Sequence, residues 1–376
     1  MHAEAMRQHP DYTTPLRRHF VFEAAFECNY DCLYCYNAWK NGRPYPARGR
    51  LGTEETLRLL DKALKESGAE LVSISGGEPF LRPDIFEILE FLASRDVAVN
   101  MITNASLLDE ETIERIAALG VVSIWEIPLL SAERPIHDAM TRRPGAFDAS
   151  CLALARLKRA HQTVVTVFVA TRMNLADLQD TLELAFALGA DGFMLNRFNP
   201  GGEGCRNRQA LMTPPEELAA GLDLAEAFSA EYDFPVSCSI AMPPCLFDQR
   251  RWPHLGFGFC AAGTQGAYEA LDPVGNLRPC NHSMLILGNL LDHSYRELVE
   301  GEALQEFRRA QPAFCEGCAY EETCLGGCKA AAEACFGSPW DLDPYLAAFG
   351  DRARKVGPKE ASQGPAAPTN ASKSSR

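Results

Sequence analysis

Three cysteines lie within eight residues near the start of the chain, in the stretch FECNYDCLYCYN. Cys28, Cys32 and Cys35 form a C-x3-C-x2-C pattern, and random placement of the chain's cysteines would give a particular cysteine both partners with a probability of roughly 0.001. A closed structural zinc site needs a fourth protein ligand, and no histidine nearby offers one. An iron–sulfur cluster with one iron open to another ligand needs only three. The spacing favours such a cluster, with zinc or buried apolar thiols as the alternatives.

A second group of cysteines lies towards the C-terminus. It begins with C-x14-G-x4-C, formed by Cys260, Gly275 and Cys280. After a gap comes C-x2-C-x5-C-x3-C, followed after six residues by one more cysteine; these five are Cys315, Cys318, Cys324, Cys328 and Cys335. Two close pairs of cysteines are common zinc ligands, so this pattern alone leaves zinc and iron–sulfur clusters open.

Composition excludes several classes of protein. The chain of 376 residues has a formal net charge of −14, which does not suit a protein that holds nucleic acid through its phosphates. It has no apolar run long enough for a membrane span, and its first twenty residues lack the apolar segment of a secretory signal. We therefore expect a cytoplasmic protein without a membrane or nucleic-acid partner, whose 14 cysteines serve metal binding or catalysis rather than disulfides.

The elements that position the cysteines alternate between strand and helix. Six β-rich runs between Phe20 and about Gly192–Phe198 are separated by five helical segments, which predicts right-handed βα units on a parallel sheet. In such sheets, ligands are held by loops at the carboxyl ends of the strands. The C-x3-C-x2-C loop directly follows the first strand, and the sequence Gly-Gly-Glu-Pro (residues 76–79) directly follows the second.

This combination closely resembles the radical S-adenosylmethionine (radical SAM) superfamily, and the resemblance covers about residues 20–200. It implies a partial (β/α)6 barrel. It also implies that Cys28, Cys32 and Cys35 hold a [4Fe–4S] cluster whose fourth iron chelates S-adenosylmethionine (SAM). The cluster would then reductively cleave SAM to a 5′-deoxyadenosyl radical, which abstracts a hydrogen from the substrate.

The resemblance also implies cofactor-binding residues. Tyr34 would lie against the adenine, and Gly76, Gly77, Glu78 and Pro79 would match the segment that binds the methionine amino group, with Glu78 facing the ammonium. Thr103 and Asn104 would line the same pocket. Where many relatives have a serine near the ribose, this chain has Pro128, so the ribose contacts are unassigned. Glu126, Arg197 and Asn199 are weaker candidates for facing the substrate, since polar residues at strand ends are often structural.

The C-terminal cysteines resemble the SPASM domain, which in relatives holds two auxiliary iron–sulfur clusters. The resemblance implies that Cys260, Cys280 and Cys328 ligate the first cluster, and that Cys315, Cys318, Cys324 and Cys335 ligate the second. The fourth ligand of the first cluster is missing from the pattern. An open iron, a non-cysteine ligand or Cys245 would fill that place.

These observations predict a domain organisation. We expect an N-terminal extension (1–19), a radical SAM core (20–235), a linker (236–256), a SPASM domain (257–345) and a disordered tail (346–376).

The expected function is modification of a ribosomally made peptide or small protein. Few residues precede the first strand, so we expect no fused leader-binding domain; a separate protein would present the substrate, and a ferredoxin or flavodoxin would supply electrons. Sulfatase activation is disfavoured, because Asn281 follows Cys280 where sulfatase-maturating relatives have an acidic residue. The alternatives are modification of tetrapyrrole side chains, as in haem d1 or alternative haem pathways, and a non-enzymatic iron–sulfur or zinc protein. The Gly-Gly-Glu-Pro sequence argues against the last.

Overall fold

The computed structural model describes residues 18–42, 44–45, 51–260, 262 and 268–353. Most of the predicted N-terminal extension and of the predicted tail lies outside these residues. Within the tail, however, residues 346–349 belong to a helix, and Leu346 is buried. That part of the tail is therefore ordered by packing, contrary to the prediction.

Six parallel strands form the centre of the sheet, in the order in which they occur along the chain. Four of them are buried along most of their length, whereas buried and partly exposed residues alternate along the third and fourth. The strands are β1 (His19–Ala25), β2 (Leu71–Gly76), β3 (Ala98–Ile102), β4 (Val122–Pro128), β5 (Val164–Ala170) and β6 (Gly192–Arg197). The predicted partial (β/α)6 barrel is confirmed.

Helices cover the outer face of this sheet. Most are amphipathic, with their apolar faces in the core; in the first, Leu59, Leu60 and Ala63 are buried, and Gly68 ends the helix at a φ of 67°. The helices of this part are α1 (Thr53–Ser67), α2 (Ile85–Ala93), α3 (Glu110–Leu119), α4 (Arg134–Thr141), α5 (Ala146–Arg159), α6 (Leu178–Ala187), α7 (Gly204–Leu211) and α8 (Pro215–Tyr232).

The sheet continues beyond the six strands on both sides. After β6 come two short parallel strands, β7 (Val236–Cys238) and β8 (Leu255–Phe257). The predicted linker, 236–256, thus begins and ends in strands of the sheet. On the other side, β9 (Ala270–Leu271) pairs with β1, followed by β10 (Asn276–Arg278) and β11 (Gly288–Asn289), so that the described strands form one sheet of eleven.

Short helices complete the C-terminal part. They pack around the cysteine-containing loops. In the helix Lys329–Phe336, buried alanines allow close packing. They are α9 (Tyr295–Glu300), α10 (Glu302–Arg309), α11 (Glu321–Cys324), α12 (Lys329–Phe336) and α13 (Pro344–Phe349). Among the described residues, no helix is long and apolar enough to cross a membrane.

A buried ion pair joins the C-terminal strands to the barrel. The guanidinium of Arg278, on β10, donates to the carboxylate of Glu23, on β1, and both side chains are almost fully buried. Arg278 also donates to the carbonyl oxygen of Ser283, at 2.6 Å. Because a buried charge that loses its partner is strongly destabilising, this pair ties the cysteine-containing C-terminal part to the first strand.

The ion pair gives a stability prediction. Arg278→Met leaves the Glu23 carboxylate buried without its cation, which costs about 3–5 kcal/mol, and the melting temperature of the holoprotein should fall by at least about 5 °C. Arg296→Met, which removes an exposed ion pair with Glu300, is the control and should change the melting temperature by about 1 °C or less. Equal changes in the two variants would contradict the role given to Arg278.

Candidate active site

The three N-terminal cysteines line one side of a cavity of about 450 Å³ at the carboxyl ends of the strands. Their loop is fixed to helix α4, because the backbone amide of Leu33 donates to the carbonyl of Met140 at 2.9 Å and that of Asp31 to Thr141 at 3.4 Å. The cavity volume lies in the range of sites for small molecules and cofactors. Tyr34, predicted to lie against the adenine, also lines it.

The electrostatics of these thiols fit a metal cluster. Burial raises the pKa of Cys28 and Cys35, and it raises that of Cys32 to about 12. The thiolates that bind iron are therefore unfavourable here unless positive charge is supplied, which iron provides when it binds. Lys40, which the sequence analysis missed, lines the same cavity, and its ammonium is attracted to all three thiolates.

Among the described residues, no three His, Cys, Asp or Glu side chains converge closely enough to hold a single metal ion. The thiols instead surround a shared volume. Two donors lie near the sulfur of Cys28: the backbone amide of Tyr30 at 3.4 Å and the side-chain amide of Asn104 at 3.9 Å.

The two glycines of the Gly-Gly-Glu-Pro sequence permit a very close approach of backbones. A Cβ atom on Gly77 would lie 1.9 Å from the carbonyl oxygen of Glu27, and one on Gly76 would lie 2.7 Å from that of Ala25. The amides of Gly77 and Glu78 donate to these same carbonyls, at 2.7 and 2.8 Å. Both glycines line the cavity, so the end of β2 lies directly beside the start of the cysteine loop.

The carboxylate of Glu78 is not placed as the resemblance implied. It is fully buried and does not line the cavity; instead it accepts from the hydroxyl of Thr103 at 2.6 Å and the amide of Asn104 at 2.9 Å. Pro79 is also buried outside the cavity lining. Burial raises the pKa of Glu78, although these hydrogen bonds oppose the rise. Glu78 therefore holds the end of β3 in place, and Thr103 and Asn104 themselves line the cavity.

The same cavity is also lined by Cys260, Cys280 and Cys328, the predicted ligands of the first auxiliary cluster. The side-chain amide of Asn199 donates to the sulfur of Cys328 at 3.2 Å. His282, another residue that the sequence analysis did not select, stacks on Tyr36 with ring centroids 4.0 Å apart. Tyr36 follows Cys35 and His282 lies two residues after Cys280, both predicted cluster ligands, so the stack links the two thiol sets.

Further polar residues line the space between the two thiol sets. The side-chain carboxylate of Glu126, on β4, has no hydrogen-bond or ion-pair partner among the described residues, and burial raises its pKa to about 7. Arg197 is paired with Asp343 at 2.5 Å, and both side chains are fully buried. Pro128 lines the cavity at the position where many relatives have a serine, so the ribose contacts remain unassigned.

The remaining predicted ligands divide between two places. Cys315, Cys318 and Cys324 line a separate small cavity of about 20 Å³, together with Cys245. Cys335 does not line it: its sulfur lies 2.9 Å from that of Cys205. The structure thus places Cys245 beside the second group of predicted ligands, rather than beside the first, and places Cys335 elsewhere.

Comparisons with known proteins agree with this fold. A model of the radical SAM superfamily matches residues 25–185, and a model of SPASM, an iron–sulfur cluster-binding domain, matches residues 260–320. The chain therefore carries a radical SAM domain and a C-terminal SPASM domain. It is therefore an enzyme that uses SAM and a [4Fe–4S] cluster, with auxiliary iron–sulfur clusters in the SPASM domain.

Several curated proteins are similar over most of their length. The AdoMet-dependent heme synthase of Methanosarcina barkeri is 26% identical over 87% of this chain and 95% of its own. The mycofactocin maturase MftC of Mycobacterium tuberculosis is 28% identical, covering 83% and 78% of the two chains. The PqqA peptide cyclase of Rhodopseudomonas palustris is 28% identical, covering 92% and 91%.

Solved structures share the fold at lower identity. Streptococcus suis SuiB bound to its precursor peptide SuiA has a TM-score of 0.69 at 14% identity, covering 87% of this chain and 75% of SuiB. The enzyme anSMEcpe with bound AdoMet has a TM-score of 0.69 at 16% identity, covering 89% and 91%.

The glycine contacts generate a prediction. Gly77→Ala would force the end of β2 away from the cysteine loop, so we expect at least a tenfold loss of SAM affinity in the reconstituted protein, measured by equilibrium binding. Gly256→Ala is the matched control, because a Cβ there meets only ordinary contacts, the nearest at 3.5 Å. Unchanged SAM affinity in the Gly77 variant would show that the close approach does not shape the cofactor site.

Proposed function

We propose that this enzyme modifies a ribosomally made peptide or small protein by abstracting a hydrogen atom from one of its side chains. The similarity to MftC, to a PqqA peptide cyclase and to the peptide-bound SuiB fold supports this function. When bound, the [4Fe–4S] cluster and SAM together supply the 5′-deoxyadenosyl radical that removes the hydrogen. The residues of the chain bind the substrate, exclude water and accept protons.

The observation that carries the proposal is the character of the cavity wall. Amide and hydroxyl side chains dominate the polar part of the wall between the two thiol sets, and they suit the amide groups of a peptide. These side chains are Ser73, Ser75, Asn100, Asn196, Asn199 and Ser239.

The cations of the wall argue against the tetrapyrrole alternative. In the part of the chain that the structure describes, Lys40 and Arg197 are the only lysine or arginine side chains that line the cavity. Arg197 is held by Asp343, and Lys40 lies 3.6 Å from Asp31. A tetrapyrrole with several carboxylates would place negative charges in the cavity. Lys40 and Arg197 already have carboxylate partners, so they would neutralise these charges poorly. The similarity to the M. barkeri heme synthase nevertheless makes tetrapyrrole modification the second candidate.

The proposed function includes two partners and a compartment. A separate protein presents the leader peptide, and a ferredoxin or flavodoxin supplies the electron. We place the enzyme in the cytoplasm, because the many cysteines proposed as cluster ligands must stay reduced until iron binds. We also propose that the thiol sets and cavity residues named above hold the cofactors.

Substrate assays distinguish the two candidates. The anaerobically reconstituted enzyme, with SAM and dithionite, is incubated separately with short peptides encoded beside its gene and with propionate-bearing tetrapyrroles, and 5′-deoxyadenosine and substrate mass are measured. We expect a peptide to lose hydrogen and to raise nucleoside release. Consumption of a tetrapyrrole with every peptide unchanged would overturn the proposal in favour of the second candidate.

Glu126 gives a pH prediction. We propose that, after the hydrogen atom has been removed, the Glu126 carboxylate accepts the proton that the substrate radical loses; a bound auxiliary cluster would take up the accompanying electron. A pKa of about 7 means that this base is mostly protonated at pH 6 and mostly ionised at pH 8, so kcat should rise across this interval. Glu126→Gln should lower kcat by about 100-fold and flatten the profile while SAM cleavage without substrate continues.

The exposed Glu110, on α3, provides the matched control for that substitution. Glu110→Gln should leave both kcat and its pH profile unchanged. If Glu126→Gln instead raised KM alone, the carboxylate would bind substrate without transferring a proton.

A further inference from the structure

The small cavity near the C-terminus is bounded by thiol-bearing residues from two distant parts of the chain. Cys315, Cys318 and Cys324 come from the loop before and within α11, whereas Cys245 comes from the segment between β7 and β8. Phe314 and Leu346 contribute apolar walls. The sequence separation of Cys245 from the other three explains why spacing alone did not group them.

The position of Cys245 is fixed by its own turn. The backbone amides of Leu246 and Phe247 both donate to the carbonyl oxygen of Pro243 at 3.0 Å. Phe247 is buried, and its ring lies 5.8 Å from that of Tyr345, on α13. The segment is therefore anchored on both sides of the thiol and cannot swing freely away from the cavity.

The other three thiols are held by a tight loop. The amide of Cys318 donates to the carbonyl of Cys315 at 3.0 Å, and that of Cys324 to Tyr320 at 2.8 Å. Gly326 then turns at a φ of 84°, where a Cβ atom would lie only 2.5 Å from the ring of Pro312. This turn closes the loop around the cavity.

Cys335 is held on a different surface. It lies near the end of α12, with its sulfur 2.9 Å from that of Cys205, on α7. The side-chain amide of Asn41 donates to the carbonyl of Ala334 at 3.3 Å, and Arg208 lies over the ring of Phe336 at 5.5 Å. These contacts fix α12 so that Cys335 faces α7.

We propose that Cys245, rather than Cys335, is the fourth cysteine ligand of the second auxiliary iron–sulfur site. Four thiolates are the common ligand set of such clusters. Glu321 also lines the cavity, but its carboxylate accepts from the amide of Gly317 at 2.8 Å and so is already engaged. The inference concerns cluster ligation alone and does not depend on which substrate the enzyme modifies.

Two single variants of the full chain test which of the two cysteines is the fourth ligand. Cys245→Ala and Cys335→Ala are reconstituted anaerobically beside the wild type, and iron and sulfide per chain are measured together with EPR spectra. Cys245→Ala should lose about four irons, or about one iron with the appearance of a three-iron cluster signal, whereas Cys335→Ala should match the wild type. Wild-type iron and spectra in Cys245→Ala, or iron loss in Cys335→Ala, would overturn the proposal.

Alkylation provides a readout that does not require a variant to fold. The wild-type protein is treated with iodoacetamide with its clusters intact and again after chelation of iron, and modified cysteines are mapped by mass spectrometry. Cys245 should be protected only while the clusters are present, at least tenfold relative to the chelated protein, and the protection of Cys335 should not depend on iron. Equal labelling of Cys245 in both states would contradict its assignment as a ligand.

Discussion

The close packing of the end of β2 against the start of the cysteine loop is the constraint on which the site depends. Neither Gly76 nor Gly77 has room for a side chain, and the backbone of residues 76–78 is hydrogen-bonded to residues 25–27. The side-chain amide of Asn37, beyond the third cysteine, returns to donate to the carbonyl of Gly76 at 2.9 Å. The two ends of the loop are thus both tied to one turn, which sets where the three thiols lie relative to the cavity.

The continuous sheet also fixes the position of the C-terminal part relative to the cysteine loop. Because β9 pairs with β1 and β10 pairs with β9, only one strand separates the strand that leads into Cys280 from the strand that leads into Cys28. Arg278 then ties β10 to Glu23 in the barrel through charge. Strand pairing therefore helps to bring Cys280 to the cavity that Cys28, Cys32 and Cys35 also line.

Sequence patterns predicted the features that depend on local chemistry. The six strands follow from runs of buried β-branched residues, and the cysteine sets follow from residue type and spacing. The direction of the Glu78 carboxylate could not be predicted, because two of its three donors, Thr103 and Asn104, follow the next strand and spacing does not reveal them. Spacing also could not predict where Cys245 and Cys335 lie. Cys245 comes from a segment 70 residues before Cys315, and Cys335 faces Cys205 on another helix.

The two auxiliary thiol sets differ in their access to substrate. Cys260, Cys280 and Cys328 line the large cavity, whereas Cys315, Cys318 and Cys324 line the small one, and the two cavities have no lining residue in common among the described residues. A substrate in the large cavity can contact a cluster held by the first set. A cluster held by the second set would border only the small cavity, which suits it to electron transfer or to stabilising the fold around Cys328 and Asp343, whose carboxylate accepts from the Cys328 amide at 2.7 Å.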